Sequence, residues 1–384
     1  MPLRIAFLNS WPEPSHEGSG TAVSIGNLAQ GLSHRGHEVV TLTPWKEGGR
    51  TPGPLPLLFH RLHFNRSVGR RIDDTGPFDL VVGFDMDGFL WSRRREARNS
   101  GNGRKPPPFI LWLKGIASDE ARFARGTDSL ILSLAARLES MNARGADRVI
   151  VPSRYSAEVA EEVYGLERGH LHVVPEAIDL EAWERTPSVP RPSPPTRPSE
   201  THPFRILSVA RQYPRKDTET LLRALPFVRR AGVPVRLTIV GGGPELPRLR
   251  KVTRTLGLSD VVSLTGPLEE RESLLDLYRE ADLFCLPSLQ EGFGIVFLEA
   301  MAAGLPIVAA RAGATPEVVT DGVIGQLVPP GDIEELGRAL GELALNPALR
   351  MRMGEAGIRR VEGYSLDRHT DRFLEAATDS GAMA

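Results

Sequence analysis

Two glutamates, Glu291 and Glu299, flank seven residues within PSLQEGFGIVFLEAMAAG, residues 287 to 304. Apolar runs at 281–286 and 306–310 bracket this stretch, so it reads as strand, glycine loop, helix, strand. Gly292 and Gly294 allow close approach to the backbone, and the helix that starts there leaves unpaired N–H groups suited to phosphate. A carboxylate at Glu291, beside that positive end, is suited to accepting hydrogen bonds from hydroxyls. Glu299, farther along the helix, has two oxygens with which to hold both hydroxyls of a ribose. The alternative is a solvated loop glutamate and an exposed helix glutamate.

Three further positions carry charge or backbone access. Arg211 ends the apolar run that starts at Phe204 and Lys216 follows five residues on, and two cations at the carboxyl edge of a strand neutralise a diphosphate. Lys114 ends the run 109–113, which puts it toward the presumed cleft. There it offers a fixed positive charge to a bound ligand, or else it pairs with Asp119 or Glu120. Gly20, after the first apolar run, is a place where backbone amides can approach a diphosphate, an ordinary loop glycine being the alternative.

The elements that must hold these residues alternate strand and helix along the whole chain. Strands are expected at 4–8, 38–43, 78–84, 109–113, 149–151 and 171–174, then again from 204, 235, 261, 281 and 306. Asp85 and Asp87 follow the third strand, at the edge where open α/β sheets bind ligands, with loop solvation as the alternative. Residues 44–77, rich in Pro, Gly and Arg, read as a surface excursion, and Leu130, Leu134, Leu138 and Met141 read as the core face of a helix over 129–144. The segment TPSVPRPSPPTRPSETHP, 186–203, has almost nothing to bury and reads as a linker. The expected class is α/β, with two doubly wound Rossmann-like parallel-sheet domains facing a central cleft. The first spans 1–185, with a final helix over 365–384 packing back on it, and the second spans 204–364.

Composition narrows the functional classes. Lys+Arg is 47 against 48 Asp+Glu, a formal net charge of −1, which argues against a nucleic-acid partner. The one cysteine, Cys285, lies in an apolar run, so no intrachain disulfide forms and a reducing cytoplasm fits. The amino terminus reads as a first strand and no run is long enough to span a bilayer. The nine histidines are scattered, without a spaced pair that suits a metal. Arg93, Arg94, Arg95, Arg98, Arg104 and Lys105, near Trp91, form a basic cluster suited to peripheral contact with an anionic membrane face or a phosphorylated acceptor, a solvated helix end being the alternative.

Together these residues resemble the retaining GT-B glycosyltransferases of family 4 over nearly the whole length. The resemblance is carried by the glutamate pair in EGFGIVFLEAMAAGLPIVA, by Thr315, Pro316, Glu317, Asp321, Gly322, Gly325 and Pro330-Gly331-Asp332, by Arg211 and Lys216, and by Gly20 and Arg35-Gly36-His37-Glu38-Val39. It implies transfer of a hexose from a UDP- or GDP-linked sugar to a hydroxyl acceptor that is a sugar, lipid-linked or small molecule, without cofactor or metal. It also implies donor binding by Gly20, Arg211, Lys216, Leu268, Glu291, Gly292, Phe293, Gly294, Ile295 and Glu299, and catalysis by Glu291, Arg211, Lys216 and Lys114. Two departures stand out: Lys114-Gly115 where the family often has His-Gly, and Pro175-Glu176-Ala177 where it often has Pro-Asn-Gly. A sugar-nucleotide epimerase of the same architecture and a non-catalytic nucleotide-sugar-binding protein are the alternative readings.

Overall fold

The first strand, β1 (Arg4–Leu8), is buried at Ile5, Ala6, Phe7 and Leu8 alike, as expected of a strand in a parallel sheet covered on both faces. A computed structural model describes residues 1–11, 20–44, 54–95, 106–185, 198–268 and 270–378. Within these the chain forms two compact units, the first made of its amino-terminal part to Glu176 plus the segment from Leu366, and the second running from Ala177 to Ser365. In this division the chain passes from the first unit to the second between Glu176 and Ala177. Residues 186–197 of the expected linker lie outside the described residues, and just beyond them Ser199 and His202 form a small antiparallel bridge.

Among the described residues each unit holds one six-stranded parallel sheet. In the first, β1 is followed by β2 (Glu38–Leu42), β3 (Leu80–Phe84), β4 (Phe109–Trp112), β5 (Arg148–Val151) and β6 (Leu171–Val173), in the order β2-β1-β3-β4-β5-β6. Alternate side chains feed two cores. Ala6, Leu8, Phe109 and Leu111 meet Phe64, Val68 and Ile72 on one face. Ile5, Phe7, Ile110 and Trp112 meet Ile25, Leu28, Leu32 and Phe373 on the other.

Residues Phe64, Val68 and Ile72 belong to a helix, α2 (Pro54–Thr75), which replaces the surface excursion read over 44–77, of which 45–53 lie outside the described residues. Their spacing of four places them on one face, and each buried side chain of this size contributes roughly 1.5–3 kcal/mol. The preceding helix, α1 (Gly20–His34), packs against the carboxyl-terminal helix Leu366–Thr378. A Cβ on Gly31 would meet the Thr370 hydroxyl at 2.0 Å, so that contact requires glycine.

A second correction concerns α3 (Thr127–Gly145). Leu130 and Leu134, read as core positions, are 73% and 42% exposed, and Met141 is exposed as well. The buried residues are Glu139, Asn142 and Ala143. The polar side turns inward because Asn142 donates to the carbonyls of Asp85 and Asp87, while Glu139 accepts from the Ala117 amide and the Tyr164 hydroxyl. Leaving those loop groups unpaired inside the protein would cost more than exposing three apolar side chains.

The second unit contains β7 (Phe204–Val209), β8 (Val235–Val240), β9 (Val262–Gly266), β10 (Leu283–Leu286), β11 (Ile307–Ala310) and β12 (Gly325–Val328), ordered β12-β11-β10-β7-β8-β9. The helix α4 (Arg271–Glu280) leads into β10, and α5 (Ile295–Ala302) leads out of the loop after it. Strand order reverses between β7 and β10, which are hydrogen-bonded neighbours. Ligands in open α/β sheets sit at that switch point, beyond the carboxyl ends of the strands. Among the described residues no helix is long and apolar enough to cross a membrane.

Candidate functional site

The loops that follow β7 and β10 meet at the switch point. After β7 the chain runs Ala210 to Asp217, and it is pinned by bonds from the Gln212 amide to the Gly242 carbonyl (2.8 Å) and from the Glu245 amide to the Gln212 carbonyl (3.0 Å). A short turn, Pro214–Lys216, then brings Lys216 inward. After β10, the Leu289 amide donates to the Arg215 carbonyl at 2.8 Å, which locks the second loop to the first, and the Ala314 amide, beyond β11, donates to the Glu291 carbonyl at 2.9 Å. The result is a buried ion pair, with Lys216 Nζ 2.5 Å from Glu291 Oε1.

Burial pushes the Glu291 carboxyl up, but Lys216 and Arg215 outweigh it and hold the group below its usual value, so it is ionised. Glu291 is thus an enclosed, charged acceptor rather than a solvated loop residue. Arg211, half-buried, lies with its guanidinium 5.6 Å from the Tyr213 ring centroid. Three cations, Arg211, Arg215 and Lys216, are set against two carboxylates, Asp217 and Glu291, on these loops, an excess of positive charge suited to an anion. Arg215 was missed by sequence reading although it sits one residue before Lys216. Its spacing from Arg211 carries no signal, and only its effect on Glu291 across the fold marks it.

The helix α5 starts from Gly294, whose φ of 90° is in the left-handed region, and a Cβ there would meet Phe297 at 2.6 Å. Phe293 is buried with its ring edge-on to Tyr364, which leaves the backbone of 292–295 as the polar part of this segment. Glu299, half-buried on α5, accepts from the Tyr278 hydroxyl of α4 at 2.8 Å. Burial raises its pKa against that bond and the pull of Arg271. Tyr278 is a second residue that sequence reading missed, since nothing local ties it to a glutamate 21 positions away. Leu268 is half-buried after Gly266, and the Gly266 carbonyl accepts from the Gly241 amide at 2.8 Å.

In the first unit, order reverses between β1 and β3, and the residues after those strands form a buried polar cluster. Asp85 accepts from Trp11 Nε1 and from the Lys114 amide, both at 2.8 Å. Asp87 accepts from the Ser10 amide at 2.7 Å and the Ser10 hydroxyl at 2.5 Å, and Arg61 donates to that same hydroxyl at 2.8 Å. Burial, only partly offset by Arg61 and Ser10, pushes Asp87 up to about 6. These aspartates are structural members of an enclosed network, not solvated loop residues.

Lys114 does not pair with Asp119 or Glu120. Its ammonium donates to Glu176 Oε1 at 3.1 Å and to the Ser24 hydroxyl, and lies 3.5 Å from the centroid of Trp112. Asp119 is bound instead by Arg122 and Tyr155. Gly20 opens α1 with nothing within 4 Å of its Cβ position. Of the basic cluster, Arg95 is buried against Asp147 and Arg93 and Arg94 are exposed, while Arg98, Arg104 and Lys105 lie outside the described residues. Among the described residues no group of three or more His, Cys, Asp or Glu is placed to hold a metal ion.

Comparison with known proteins bears on the family and the fold. The family model for glycosyl transferases group 1 matches residues 193–360, and that for glycosyltransferase family 4 matches 18–182. A D-inositol 3-phosphate glycosyltransferase of Streptomyces scabiei is 30% identical over 417 residues, covering 98% of this chain and 91% of that protein. A GDP-mannose-dependent alpha-(1-6)-phosphatidylinositol monomannoside mannosyltransferase of Mycolicibacterium smegmatis is 34% identical over 55% of this chain, which spans 56% of that relative. Among solved structures, sucrose-phosphate synthase from Thermosynechococcus elongatus superposes with a TM-score of 0.79 at 20% identity, over 97% of this chain and 98% of that one. Anabaena HepE, solved with UDP and glucose, gives 0.70 at 21% identity, over 98% and 100%. These structural likenesses establish the fold, and the sequence matches establish the family. The chain belongs to glycosyltransferase family 4, and it is a GT-B enzyme that transfers sugar from a nucleotide-sugar donor.

Proposed function

We propose that this enzyme moves a hexose, with retention, from a UDP- or GDP-linked donor to a hydroxyl acceptor, and that it needs no divalent metal. The observation that carries this reading is the Lys216–Glu291 pair at the switch point of the second sheet, with Arg211 and Arg215 on the same loop as Lys216. Breaking the bond between anomeric carbon and phosphate develops positive charge on the sugar and negative charge on the leaving diphosphate. Preorganised cations that meet the diphosphate lower that barrier.

In this reading Arg211 and Lys216 take the diphosphate, aided by backbone N–H groups of Gly292, Phe293, Gly294 and Ile295 at the start of α5. Glu291, ionised and held by Lys216, accepts from sugar hydroxyls. Glu299 accepts from the ribose hydroxyls, and the base lies along Gly266 to Leu268, held by backbone groups. Gly20 remains a point where backbone meets phosphate. The acceptor hydroxyl attacks on the face from which the diphosphate leaves, so that no enzyme carboxylate need act as nucleophile. The names of the relatives make phosphorylated inositols and inositol-containing glycolipids the first acceptors to try.

The test is a screen of nucleotide sugars for thermal stabilisation, followed by product analysis with the stabilising donor and a panel of acceptors. A ligand at 100 times its dissociation constant stabilises by about 2.7 kcal/mol. Transfer to an acceptor, with the anomeric configuration kept and unaffected by a chelator, is the expected result. Isomerised donor, or stabilisation with no turnover, would replace this reading with an epimerase or a binding protein.

A further inference from the structure

The outer side of α2 carries a line of residues that neither core of the first sheet uses. Leu55, Phe59, Leu62, Arg66 and Arg70 follow one another at intervals of three or four, so they lie along one face of the helix. The first three are apolar and the last two cationic, so the face changes character along its length. Leu55 and Phe59 are 53% and 63% exposed, and Leu62 is half-buried. The helix α3 packs beside α2 through Ile131 and Leu138, and Leu134, between them on the same side of α3, is exposed as well.

From Leu62 onward this face lines a cavity of about 650 Å³, the size of a small-molecule site. The cavity lies between α2 and the short helix Phe89–Ser92 that follows β3. Its apolar lining includes Leu62, Leu90 and Trp91, and Trp91 is set edge-on against Phe109 at 5.5 Å. Arg66 and Arg70 line it from α2, and Arg94 lines it from the other wall. All three arginines are exposed, and among the described residues none of their side chains is paired with a carboxylate. Their neighbours differ: Arg61, on the inner side of α2, faces Asp87, and Arg95 is buried against Asp147.

We propose that this cavity binds an amphiphile whose head is an anionic phosphate, with the phosphate among Arg66, Arg70 and Arg94 and the apolar body on Leu62, Phe59 and Leu55. Guanidinium groups hold phosphate oxygens in pairs, and here three of them gather where no carboxylate of the chain answers them. A bare anion would account for the arginines and leave the exposed Phe59 and Leu55 unexplained, and a purely apolar ligand would do the reverse. From Arg66 to Leu55 the helix runs about 16 Å, at about 1.5 Å per residue, a length that an alkyl chain covers and a small ring does not. All the lining residues belong to the first unit, and the inference does not rest on the proposed reaction.

Calorimetric titration of the full chain with dihexanoyl phosphatidic acid, kept dispersed below its micelle concentration, tests the site. The expected result is one molecule bound per chain, with inorganic phosphate and dihexanoyl phosphatidylcholine each weaker by about tenfold or more. Arg66→Gln with Arg70→Gln should weaken the phosphatidic acid by a similar factor. Leu55→Ser with Phe59→Ser should weaken it severalfold and leave the response to inorganic phosphate unchanged. Two controls should keep wild-type affinity: Arg250→Gln with Arg254→Gln, an exposed pair at the same spacing on the helix Leu246–Thr255, and Arg211→Ala in the proposed donor site. Vesicles of phosphatidylcholine with and without phosphatidic acid separate the sources of the ligand. Sedimentation with the acidic vesicles that is lost in the Arg66 and Arg70 variant assigns it to a bilayer, and binding of dispersed lipid alone assigns it to a soluble molecule. Inorganic phosphate bound as tightly as the lipid, or affinity that follows net charge or Arg211 rather than Arg66 and Arg70, overturns the proposal. So does a wild type, folded by its melting curve, that binds neither dispersed lipid nor acidic vesicles.

Discussion

Lys216 and Glu291 stand 75 residues apart in the chain, and Lys216 Nζ lies 2.5 Å from Glu291 Oε1. The contact exists because β7 and β10 are neighbours in the sheet although two strands intervene in sequence, so the loops leaving them emerge side by side. Both side chains are enclosed, and each is the other's counter-charge.

Replacing one partner should therefore be costly in two separate ways. Lys216→Met leaves the buried Glu291 carboxylate without its ion-pair partner, with Arg215 and Ser288 still favouring its charge, a loss of up to roughly 3–5 kcal/mol in stability. It also withdraws a cation from the proposed leaving group, worth about a hundredfold to a thousandfold in turnover. Arg211→Ala should likewise lower kcat, and its effect on melting temperature is measured beside it. Denaturant unfolding and initial rates measured on the same samples separate the two effects, and wild-type turnover in both variants would remove these residues from the donor site.

Glu299 and Tyr278 allow a finer test. Tyr278→Phe removes the hydroxyl that orients Glu299 while keeping the ring that stacks on Phe284. Loss of one hydrogen bond of this kind costs about 1 kcal/mol. The donor KM should rise several-fold in Tyr278→Phe and by about tenfold or more in Glu299→Ala, equivalent to about 1.4 kcal/mol, with kcat less affected in both. Steady-state kinetics with varied donor decides it, and an unchanged KM in Glu299→Ala would displace the ribose from this carboxylate.

Buried groups of the first unit give opposed slopes of stability against pH. Burial first, then neighbouring Asp85, raises Asp87 to about 6 against the pull of Arg61 and Ser10. Between about pH 4, where the unfolded carboxyl ionises, and 6 the folded chain keeps a proton that the unfolded chain has lost, so stability falls as pH rises. His369 is driven down to about 4 by burial, so between pH 4 and about 6.5 the unfolded chain binds a proton that the folded chain refuses, and stability rises with pH. Asp85 and Glu139, also raised by burial, add to the fall, so Asp87→Asn should weaken the fall and His369→Phe the rise, each changing the stability difference between pH 4.5 and 6.5 by up to about 3 kcal/mol. Urea midpoints at the two pH values measure it.

Gly294 should tolerate no side chain. Gly294→Ala meets both an unfavourable backbone angle, φ 90°, and the Phe297 ring at 2.6 Å. A cost of at least about 1–3 kcal/mol is expected from the backbone alone. If α5 also presents its first-turn amides to phosphate, donor affinity should fall along with melting temperature, whereas Gly20→Ala, with open space at its Cβ position, should leave the melting temperature unchanged.

Residue type and local spacing, as sequence alone presents them, determined most of the strands and the candidate donor residues. The apolar runs 4–8, 109–113 and 204–209 have no other stable home than a covered sheet, and cations or glutamates that follow such runs fall at the carboxyl edge whatever the remaining chain does. The helix α2 was legible in principle from Phe64, Val68 and Ile72, but the prolines before it and the arginines within it hid the period. The inward polar face of α3 was not legible, because the groups that Asn142 and Glu139 satisfy belong to other loops.

Only tertiary structure decided the pairings. Lys216 with Glu291, Lys114 with Glu176 and Ser24, and Tyr278 with Glu299 are set by which strands lie side by side and which helices cross them, and no local pattern encodes that. The physical reason is that a charge leaves water only when its partner is already in place. Sequence names the ionisable residues one at a time, and the fold determines which of them can be buried together.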